Sequence, residues 1–380
     1  MAGTRDLGLR SASRIFRCVW RSPNISRVEI ADKLGLDKST VTNQVNRLID
    51  LGLVAETEAG EASSRGGRRP IGLAVRKNFG RIIGIELQVG GFHALAVDLS
   101  GEILGELQGP ASINKDSFAS TILDIVDRAT RELCPGPGPL LGVGVGLGGL
   151  VDLKSSRIRY SVPLGIREPL DFGKTVASRL PMPCFVENDA NCCAWGELAF
   201  NRSEELRDFL FALVEYRQDT TSLGTYGGIG VGFGVVHGGK VYSGSHGNAG
   251  EFRSTFCKGR GDLQFSLPMD ELRRMDRDPR VLAAAMEELA RNMAMLVNTM
   301  DFDRVYVGGD IEELFADFPA LLRTCLEENW MYPSPKDVDI RYSSLKGRAV
   351  AYGAAGMMLD RLVAERLLPG LGGKAAAGGA

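Results

Sequence analysis

The residues with the clearest chemical potential lie between positions 184 and 197. Cys184–Glu187 is a short, mainly apolar run, and Asn188 and Asp189 follow where this strand should give way to a helix. An aspartate at such a junction has its carboxylate beside the first helical N–H groups, and it can accept a proton or a hydrogen bond from a bound hydroxyl. Spacing alone leaves two interpretations open, a helix cap and a hydroxyl-binding site.

A second candidate site lies in residues 1–75, where the pattern predicts three helices. Apolar residues of Ser11–Trp20 share one helical face, and Ser26 and Glu29 form a capping box that opens a helix ending near Leu34. After a turn at Gly35, Asp37 can cap a third helix over Lys38–Leu51. This arrangement predicts a helix-turn-helix, and a hairpin of Leu53–Thr57 with Ile71–Val75 predicts a wing.

The third helix has a polar outer face that suits the DNA major groove. We expect Asn43 or Asn46 to read base edges, and the basic and hydroxyl side chains mostly to contact phosphates. The predicted face comprises Lys38, Ser39, Thr42, Asn43, Asn46 and Arg47. Use of the same domain for protein contact is the alternative. A basic stretch between the two wing strands, Ser63–Pro70, either is a solvated linker or enters an adjacent minor groove through Arg65, Arg68 or Arg69.

The charge distribution supports a polyanionic partner for the head. The chain has a formal net charge of −2, yet residues 1–80 hold 14 Lys and Arg against 8 Asp and Glu, and the remainder holds 31 against 39. A basic head on an acidic body is typical of nucleic-acid binding.

Composition bounds the class of protein. A chain of 380 residues fits two or three domains, and 24% charged residues are ordinary for a soluble protein. No apolar run reaches the roughly 20 residues of a membrane helix. Seven cysteines without regular spacing do not indicate a disulfide framework. We therefore expect a cytoplasmic protein without membrane contact.

The body, residues 77–368, predicts an α/β architecture. Strands at Arg81–Gly90, Phe92–Leu99 and Gly101–Leu107 form one meander, and a similar hairpin pattern recurs after residue 209. Long helices are predicted at about Val281–Met300 and Ile311–Asn329. Two similar halves indicate a duplicated actin-like (ribonuclease-H-like) fold, which binds ligand in the cleft between them.

The run from Val186 to Asn191, followed by a helix of small residues and Glu197, resembles the sugar-site motif of the ROK family (repressor, open reading frame, kinase). The resemblance extends over about residues 12–365 and implies the same two-lobed fold. It implies that Asp189 occupies the place of the kinases' catalytic base. It also implies that Glu251, in Gly247-Asn-Ala-Gly-Glu251, binds sugar hydroxyls together with Asn188.

Departures from the family pattern predict a protein that is not a kinase. The first phosphate-binding hairpin, Asp-x-Gly-Gly-Thr in the kinases, is Glu86-Leu-Gln-Val-Gly90 here, and Ile229 and Phe233 interrupt the second. Arg253 and Ser254 replace the family's Gly-His pair, and Cys257 alone follows, so we expect neither a structural zinc nor a cofactor.

These observations predict a sugar-responsive repressor that binds a palindromic operator as a homodimer or higher homo-oligomer. The predicted parts are a winged helix-turn-helix (1–62), a basic linker and wing return (63–76), the body (77–368) and a disordered Gly/Ala-rich tail (369–380). A sugar kinase with an accessory head is the first alternative. A regulator with a vestigial cleft, controlled by a protein partner, is the second.

Overall fold

The computed structural model describes residues 2–57, 71–136, 138–200, 206–217, 228–261 and 263–372. Its first part is a three-helix head with a small sheet in the order β1-β3-β2. The elements are α1 (Ala2–Arg21), β1 (Ile25–Ser26), α2 (Arg27–Leu34), α3 (Lys38–Asp50), β2 (Val54–Glu56) and β3 (Gly72–Val75).

The head confirms the predicted winged helix-turn-helix. The Ser26–Glu29 capping box is present, and Gly35 ends α2 with φ of 60°, a left-handed conformation that glycine adopts without strain. The wing pairs β2 with β3, with Val54 opposite Val75. One detail of the prediction is wrong: Asp37 occupies the cap position of α3, but its side chain makes no capping hydrogen bond.

The first lobe of the body contains a five-stranded sheet in the order β11-β7-β4-β5-β6 and a small sheet β10-β9-β8. Its elements are β4 (Arg81–Gln88), β5 (Gly91–Asp98), β6 (Ile103–Pro110), α4 (Phe118–Leu133), β7 (Leu140–Leu147), β8 (Leu150–Asp152), β9 (Arg157–Tyr160), β10 (Leu170–Asp171), α5 (Phe172–Thr175), β11 (Cys184–Asn188) and α6 (Asp189–Phe200).

The second lobe repeats the same topology, with a sheet in the order β14-β13-β12-β15-β16. In both sheets an antiparallel meander is extended by two parallel strands, so the predicted duplication is confirmed. The elements are β12 (Phe209–Arg217), β13 (Gly228–His237), β14 (Lys240–Val241), α7 (Met269–Leu272), α8 (Pro279–Met300), β15 (Arg304–Gly309), α9 (Ile311–Leu314), α10 (Phe318–Glu328), β16 (Asp339–Tyr342) and α11 (Ala349–Ala364).

The single helix predicted over Ile311–Asn329 is two helices, α9 and α10. Pro319 lies in the first turn of α10, where its fixed φ is accepted. In one unbroken helix the Pro319 ring would clash with the preceding turn, so the helix is interrupted between α9 and α10.

Helices α6 and α11 pack against each other between the two sheets. α11 crosses β4 and β7 of the first lobe, and α6 crosses β12 and β13 of the second. The contact is close because it is made by small residues: a Cβ at Gly353 would overlap the Cys192 carbonyl oxygen. The two lobes are therefore joined through two interlocked helices.

The head shares a hydrophobic core with the body. Ile15, Phe16 and Trp20 of α1 are fully buried in the same cluster as Leu359 and Leu362 of α11. None of the described helices is long and apolar enough to cross a membrane.

The C-terminal segment contradicts part of the predicted disordered tail. Residues 370–372 form a turn, and Leu371 is fully buried in the core that the head and α11 share. Burial of the apolar Leu371 side chain against the head stabilises this segment, and this gain exceeds the entropic cost of ordering the glycines around it. Residues 373–380 lie outside the described residues.

Candidate effector cleft and DNA-binding face

The strand-to-helix junction holds both predicted polar residues at the edge of the cleft. The Asn188 Oδ1 accepts a hydrogen bond from the Asn191 N–H at 3.1 Å, and the Asn188 Nδ2 donates to the Gly149 carbonyl at 3.1 Å. Asn188 therefore closes the first turn of α6, and it fixes the direction in which that helix begins. The Asp189 Oδ1 accepts from the Ala190 N–H at 2.8 Å, and the side chain is half-buried at the cleft wall.

Glu187, one residue earlier, is a buried carboxyl that the sequence did not single out. Its Oε1 accepts from the Asn188 N–H at 2.8 Å and from the Asn191 Nδ2 at 3.2 Å. Burial raises the pKa of Glu187 to about 7, against these two hydrogen bonds and the attraction of Arg361. Glu187 therefore stabilises the junction of β11 and α6 through its hydrogen bonds to Asn188 and Asn191, and its protonation state changes near neutral pH.

Glu251 reaches the same cleft from the second lobe. Its segment forms an antiparallel bridge with Gly232 of β13, and the Phe233 N–H donates to the Gly250 carbonyl at 2.9 Å. Gly250 has φ of 93°, and a Cβ there would overlap the Phe233 carbonyl, so glycine is required beside Glu251. The cleft walls desolvate the carboxylate and raise the pKa of Glu251, although part of the side chain reaches solvent.

Arg159 of β9 is the basic residue of this region, and sequence proximity did not indicate it. Its guanidinium donates to the Asn248 Oδ1 and, at 3.4 Å, to the Gly247 carbonyl. Its charge partly opposes the desolvation of Glu251 and so lowers the pKa of that carboxyl. Arg253, the base nearest in sequence, instead donates to the Leu263 carbonyl at 3.3 Å.

Asn188, Asp189 and Glu251 line one cavity, which we call the inner cavity. It has a volume of about 220 Å³ and opens between the two lobes. Its remaining walls come from β8, β9, β12, the glycine-rich β13 and the chain around Gly148, Pro163 and Gln264. The structure therefore brings together three residues whose association the family resemblance implied.

A second and larger cavity, which we call the outer cavity, continues from the inner one. It has a volume of about 520 Å³ and lies between β4, β12, β15 and the start of α11. Five residues line both cavities, which makes them compartments of one cleft: Gly148, Pro163, Asp189, Leu213 and Glu215.

The residues that depart from the kinase pattern in the two glycine hairpins lie in different surroundings, one in the cleft wall and two in the core. Glu86 is buried in the outer cavity wall, and the Gln88 Nε2 donates to its Oε1 at 2.9 Å. Ile229 and Phe233 are buried in the core of the second lobe, where the Phe233 ring packs edge-on against Phe252. Neither side chain lines the cleft, so the bulk that the sequence indicated at Phe233 is absorbed by the core.

The loop after Glu251 is held by side-chain hydrogen bonds. The Gln264 Nε2 donates to the Val231 carbonyl at 2.7 Å, and the Ser266 N–H and hydroxyl donate to Glu288 at 2.7 and 2.6 Å. The Asn292 Nδ2 donates to the buried Ser254 hydroxyl at 3.2 Å. Among the described residues, no three His, Cys, Asp or Glu side chains are grouped so that they could hold a metal ion.

The head presents the predicted polar face of α3. Lys38, Ser39, Thr42, Asn43 and Asn46 are exposed, while Val41, Val45 and Leu48 are fully buried. The Asn46 Oδ1 accepts from Arg27 at 3.3 Å, and Arg27 also pairs with Glu56 of the wing.

Arg47 differs from the rest of the predicted face. It is half-buried, and its Nη2 donates to the Gly370 carbonyl at 3.1 Å. This hydrogen bond connects α3 to the C-terminal segment. Arg65, Arg68 and Arg69 lie outside the described residues.

Comparison with known proteins agrees with both parts of this structure. Residues 82–256 match the ROK family model, and residues 10–55 match a winged helix-turn-helix DNA-binding model. The chain carries a ROK family domain behind a winged helix-turn-helix. The family resemblance and the fold class expected from the sequence are thus confirmed.

Among related proteins, the xylose repressor of Caldicellulosiruptor bescii is 26% identical over 89% of this chain and 92% of its own length. The xylose repressor of Bacillus subtilis is 29% identical over 61% of this chain. The N-acetylglucosamine repressor of Escherichia coli O157:H7 is 26% identical over 63% of it. The chain spans 56% of the length of each of these last two relatives.

Solved structures share the ROK fold. A ROK family transcriptional regulator, a homolog of the E. coli MLC protein, matches 95% of this chain and 99% of its own with a TM-score of 0.73 at 20% identity. A ROK glucokinase from Streptomyces griseus, solved with glucose and AMPPNP, matches 73% of this chain and 99% of its own with a TM-score of 0.55 at 22% identity. Regulators and kinases share this body, so the fold alone does not separate them.

Proposed function

We propose that this protein is a cytoplasmic transcriptional repressor that binds a palindromic operator as a homodimer and is controlled by a small carbohydrate. One observation carries the proposal. Helix α3, which has an exposed polar face, shares a hydrophobic core with the body, and the cleft of that body is lined by side chains that can bind hydroxyls. Relatives named as xylose and N-acetylglucosamine repressors support the same conclusion.

DNA binding follows from the exposed face of α3. Asn43 and Asn46 offer paired donor and acceptor atoms to base edges, and Lys38 and Ser39 at the start of the helix suit phosphates. One head of this size reads a short half-site, and a two-fold dimer presents two heads to a palindrome.

The inner cavity suits a neutral sugar. Asp189 and Glu251 accept hydrogen bonds from hydroxyls, and Arg159 lies near enough to Glu251 to lower the pKa of that carboxyl. Three carboxylates, Asp189, Glu215 and Glu251, line this cavity of about 220 Å³, so a phosphorylated or acidic sugar would need more positive charge than Arg159 offers. A neutral pentose or hexose is the first choice, and xylose is the first to test.

We infer that the sugar is bound without being phosphorylated. The wall of the outer cavity holds Glu86 on the first hairpin and several further carboxylates, with Lys346 as its basic side chain. Such a wall repels a polyphosphate. A sugar kinase with an accessory head is the competing function, and Asp189 is the residue that favours it.

A physical connection links the cleft to the head. Arg21, at the end of α1, donates to the Gly239 carbonyl of the second lobe at 3.3 Å and lies 3.6 Å from Asp360 on α11. The end of the head's first helix therefore touches both lobes. Closure of the lobes on a sugar would move these two contacts relative to each other, and the orientation of the head would follow.

Fluorescence anisotropy with labelled DNA from upstream of the gene and its neighbours tests the proposal. We expect salt-sensitive binding to one site, and release or tightening when xylose or another neutral sugar is added. Asp189→Ala should weaken sugar affinity about 5- to 150-fold, since loss of a hydrogen-bonding partner in the cleft costs about 1–3 kcal/mol, and should leave sugar-free DNA affinity intact. Asp124→Ala, at an exposed position on α4, is the matched control.

Two results would contradict the proposal. Absence of salt-sensitive DNA binding would exclude the repressor. Formation of sugar phosphate from Mg-ATP at ordinary kinase turnover, roughly 1–100 per second, would establish the competing function.

A further inference from the structure

The cleft is larger than a single bound sugar requires, and its two compartments are continuous. The outer cavity has more than twice the volume of the inner one, at about 520 against 220 Å³. Asp189 and Glu215 line both, so a ligand that contacts Asp189 in the inner cavity already lies at the entrance of the outer one. A molecule that fills the cleft is therefore longer than a monosaccharide.

The charges of the outer cavity restrict its occupant. The lining of the outer cavity includes one lysine, Lys346, and six residues with carboxylates: Glu86, Asp189, Glu215, Asp310, Glu312 and Glu313. This excess of negative charge disfavours phosphates, nucleotides and acidic sugars. Carboxylates accept hydrogen bonds from hydroxyls without a change of charge, so a polyol is compatible with the same wall.

The outer cavity also has an apolar side. Leu87, Leu213, Val307 and Val350 contribute to its wall together with the half-buried ring of Tyr216. The Tyr216 backbone is fixed because its N–H donates to the Asp310 Oδ2 at 2.7 Å. A sugar ring offers both C–H surface and hydroxyls, so it suits a wall that combines these apolar side chains with carboxylates.

We propose that the effector is a neutral oligosaccharide of two or more units, with one terminal unit in the inner cavity and the next in the outer cavity. This inference rests on the proposed function, because it specifies the carbohydrate that controls the repressor. Asp189 and Glu215, which line both compartments, contact the two units at their junction. Tyr216 and Gln88 line the outer cavity only and act as selectors of ligand length.

Calorimetric titration of the full chain with xylose, xylobiose and xylotriose, and with glucose, cellobiose and cellotriose, tests this inference. We expect one series to bind, with the disaccharide at least about tenfold tighter than its monosaccharide, the gain expected for one or two added hydrogen bonds. Tyr216→Ala and Gln88→Ala should each weaken disaccharide binding and leave monosaccharide binding within about twofold. Thermal unfolding of each variant verifies that it is folded.

The possible outcomes separate the two proposals. Equal affinity for monosaccharide and disaccharide, or equal losses for both in the two variants, overturns the oligosaccharide inference and leaves the sugar-controlled repressor standing. Binding of Mg-ATP that competes with the disaccharide also overturns it, since the outer cavity would then accept a nucleotide. If none of the six sugars binds, while salt-sensitive DNA binding persists, this inference fails together with control by xylose or glucose, and DNA binding stands alone.

Discussion

Asp360 is the residue at which we expect the head and the body to be most sensitive to a single change. Its Oδ1 lies 3.1 Å from the Arg17 Nη2 and 3.6 Å from the Arg21 Nη2, and its side chain is 13% exposed. Arg21 also donates to the Gly239 carbonyl, in the turn between β13 and β14 of the second lobe. One carboxylate on α11 therefore neutralises two arginines of α1, and one of those arginines also contacts the second lobe.

Asp360→Asn keeps the shape of this side chain and removes its charge. Two guanidinium groups would then face each other without a counterion, and burial, which already lowers the pKa of Arg21, would no longer be opposed by the Asp360 charge. Loss of one partner from a fully buried pair costs about 3–5 kcal/mol. Arg17 and Arg21 are 33% and 30% exposed, so solvent screens part of the effect, and we expect a loss of about 1–3 kcal/mol.

Urea unfolding and DNA titration measure the two consequences. We expect a lower unfolding midpoint and a weaker change of DNA affinity on addition of sugar, while the sugar Kd of the body stays unchanged. Glu365→Gln is the matched control, because Glu365 follows α11 directly and pairs with Arg361 of that helix rather than with the head. If Asp360→Asn and Glu365→Gln behave alike in both assays, the contact does not couple cleft and head.

Two further predictions concern Glu187 beside the cleft and the polar face of α3 in the head. Because the pKa of Glu187 is raised to about 7, the folded protein holds a proton that the unfolded chain releases near pH 4.5, so the free energy of unfolding should fall as pH rises from about 4.5 to 7, by at most about 3 kcal/mol. Glu187→Gln should flatten this slope in urea unfolding at several pH values, and an unchanged slope would contradict the assignment. Asn43→Ala should relax base preference by about 1–3 kcal/mol at one position, whereas Arg47→Ala should weaken binding to all sequences and also lower the stability of the head, since it loses the Gly370 carbonyl. Binding to randomised operators distinguishes the two variants, and an equal loss of specificity in both would exclude base reading by Asn43 and phosphate contact by Arg47.

The head was predictable from sequence because its signals are local. The Ser26–Glu29 capping box, the glycine after α2 and the apolar spacing of Val41, Val45 and Leu48 all act within a few residues, and each is present in the structure. The duplicated body was also predictable, since two similar strand patterns follow each other along the chain.

The association of Asn188, Asp189 and Glu251 in one cavity came from the family resemblance, because spacing along the chain does not place residues of two lobes together. Arg159 and Arg21 were missed for the same reason: their partners lie 88 and 218 residues away. A fold must be known before such pairs can be listed.

Leu371 and Glu187 were missed for a different reason. The glycines around Leu371 dominate the composition of the tail, and the two leucines at 368 and 371 were the available sign of a packed segment. Glu187 ends a mainly apolar strand, and its charge alone gives no sign that this position, directly before Asn188 and α6, is buried. In both cases the surroundings, rather than the residue type, decide burial.

The two helices between the lobes provide a physical route by which we expect a sugar in the cleft to affect the head. α6 begins with Asp189 at the cleft, and α11 ends beyond Asp360 at the head. Between these ends the helices meet backbone to backbone at Gly353 and Cys192, and similar close contacts seat α11 on Gly84 and Gly144 of the first sheet. Such contacts leave little space for independent adjustment, because close-packed interiors transmit displacements rather than absorb them. We therefore expect a movement of Asp189 on binding a hydroxyl to be carried along α6 to α11, and to reach the arginines of α1 through Asp360.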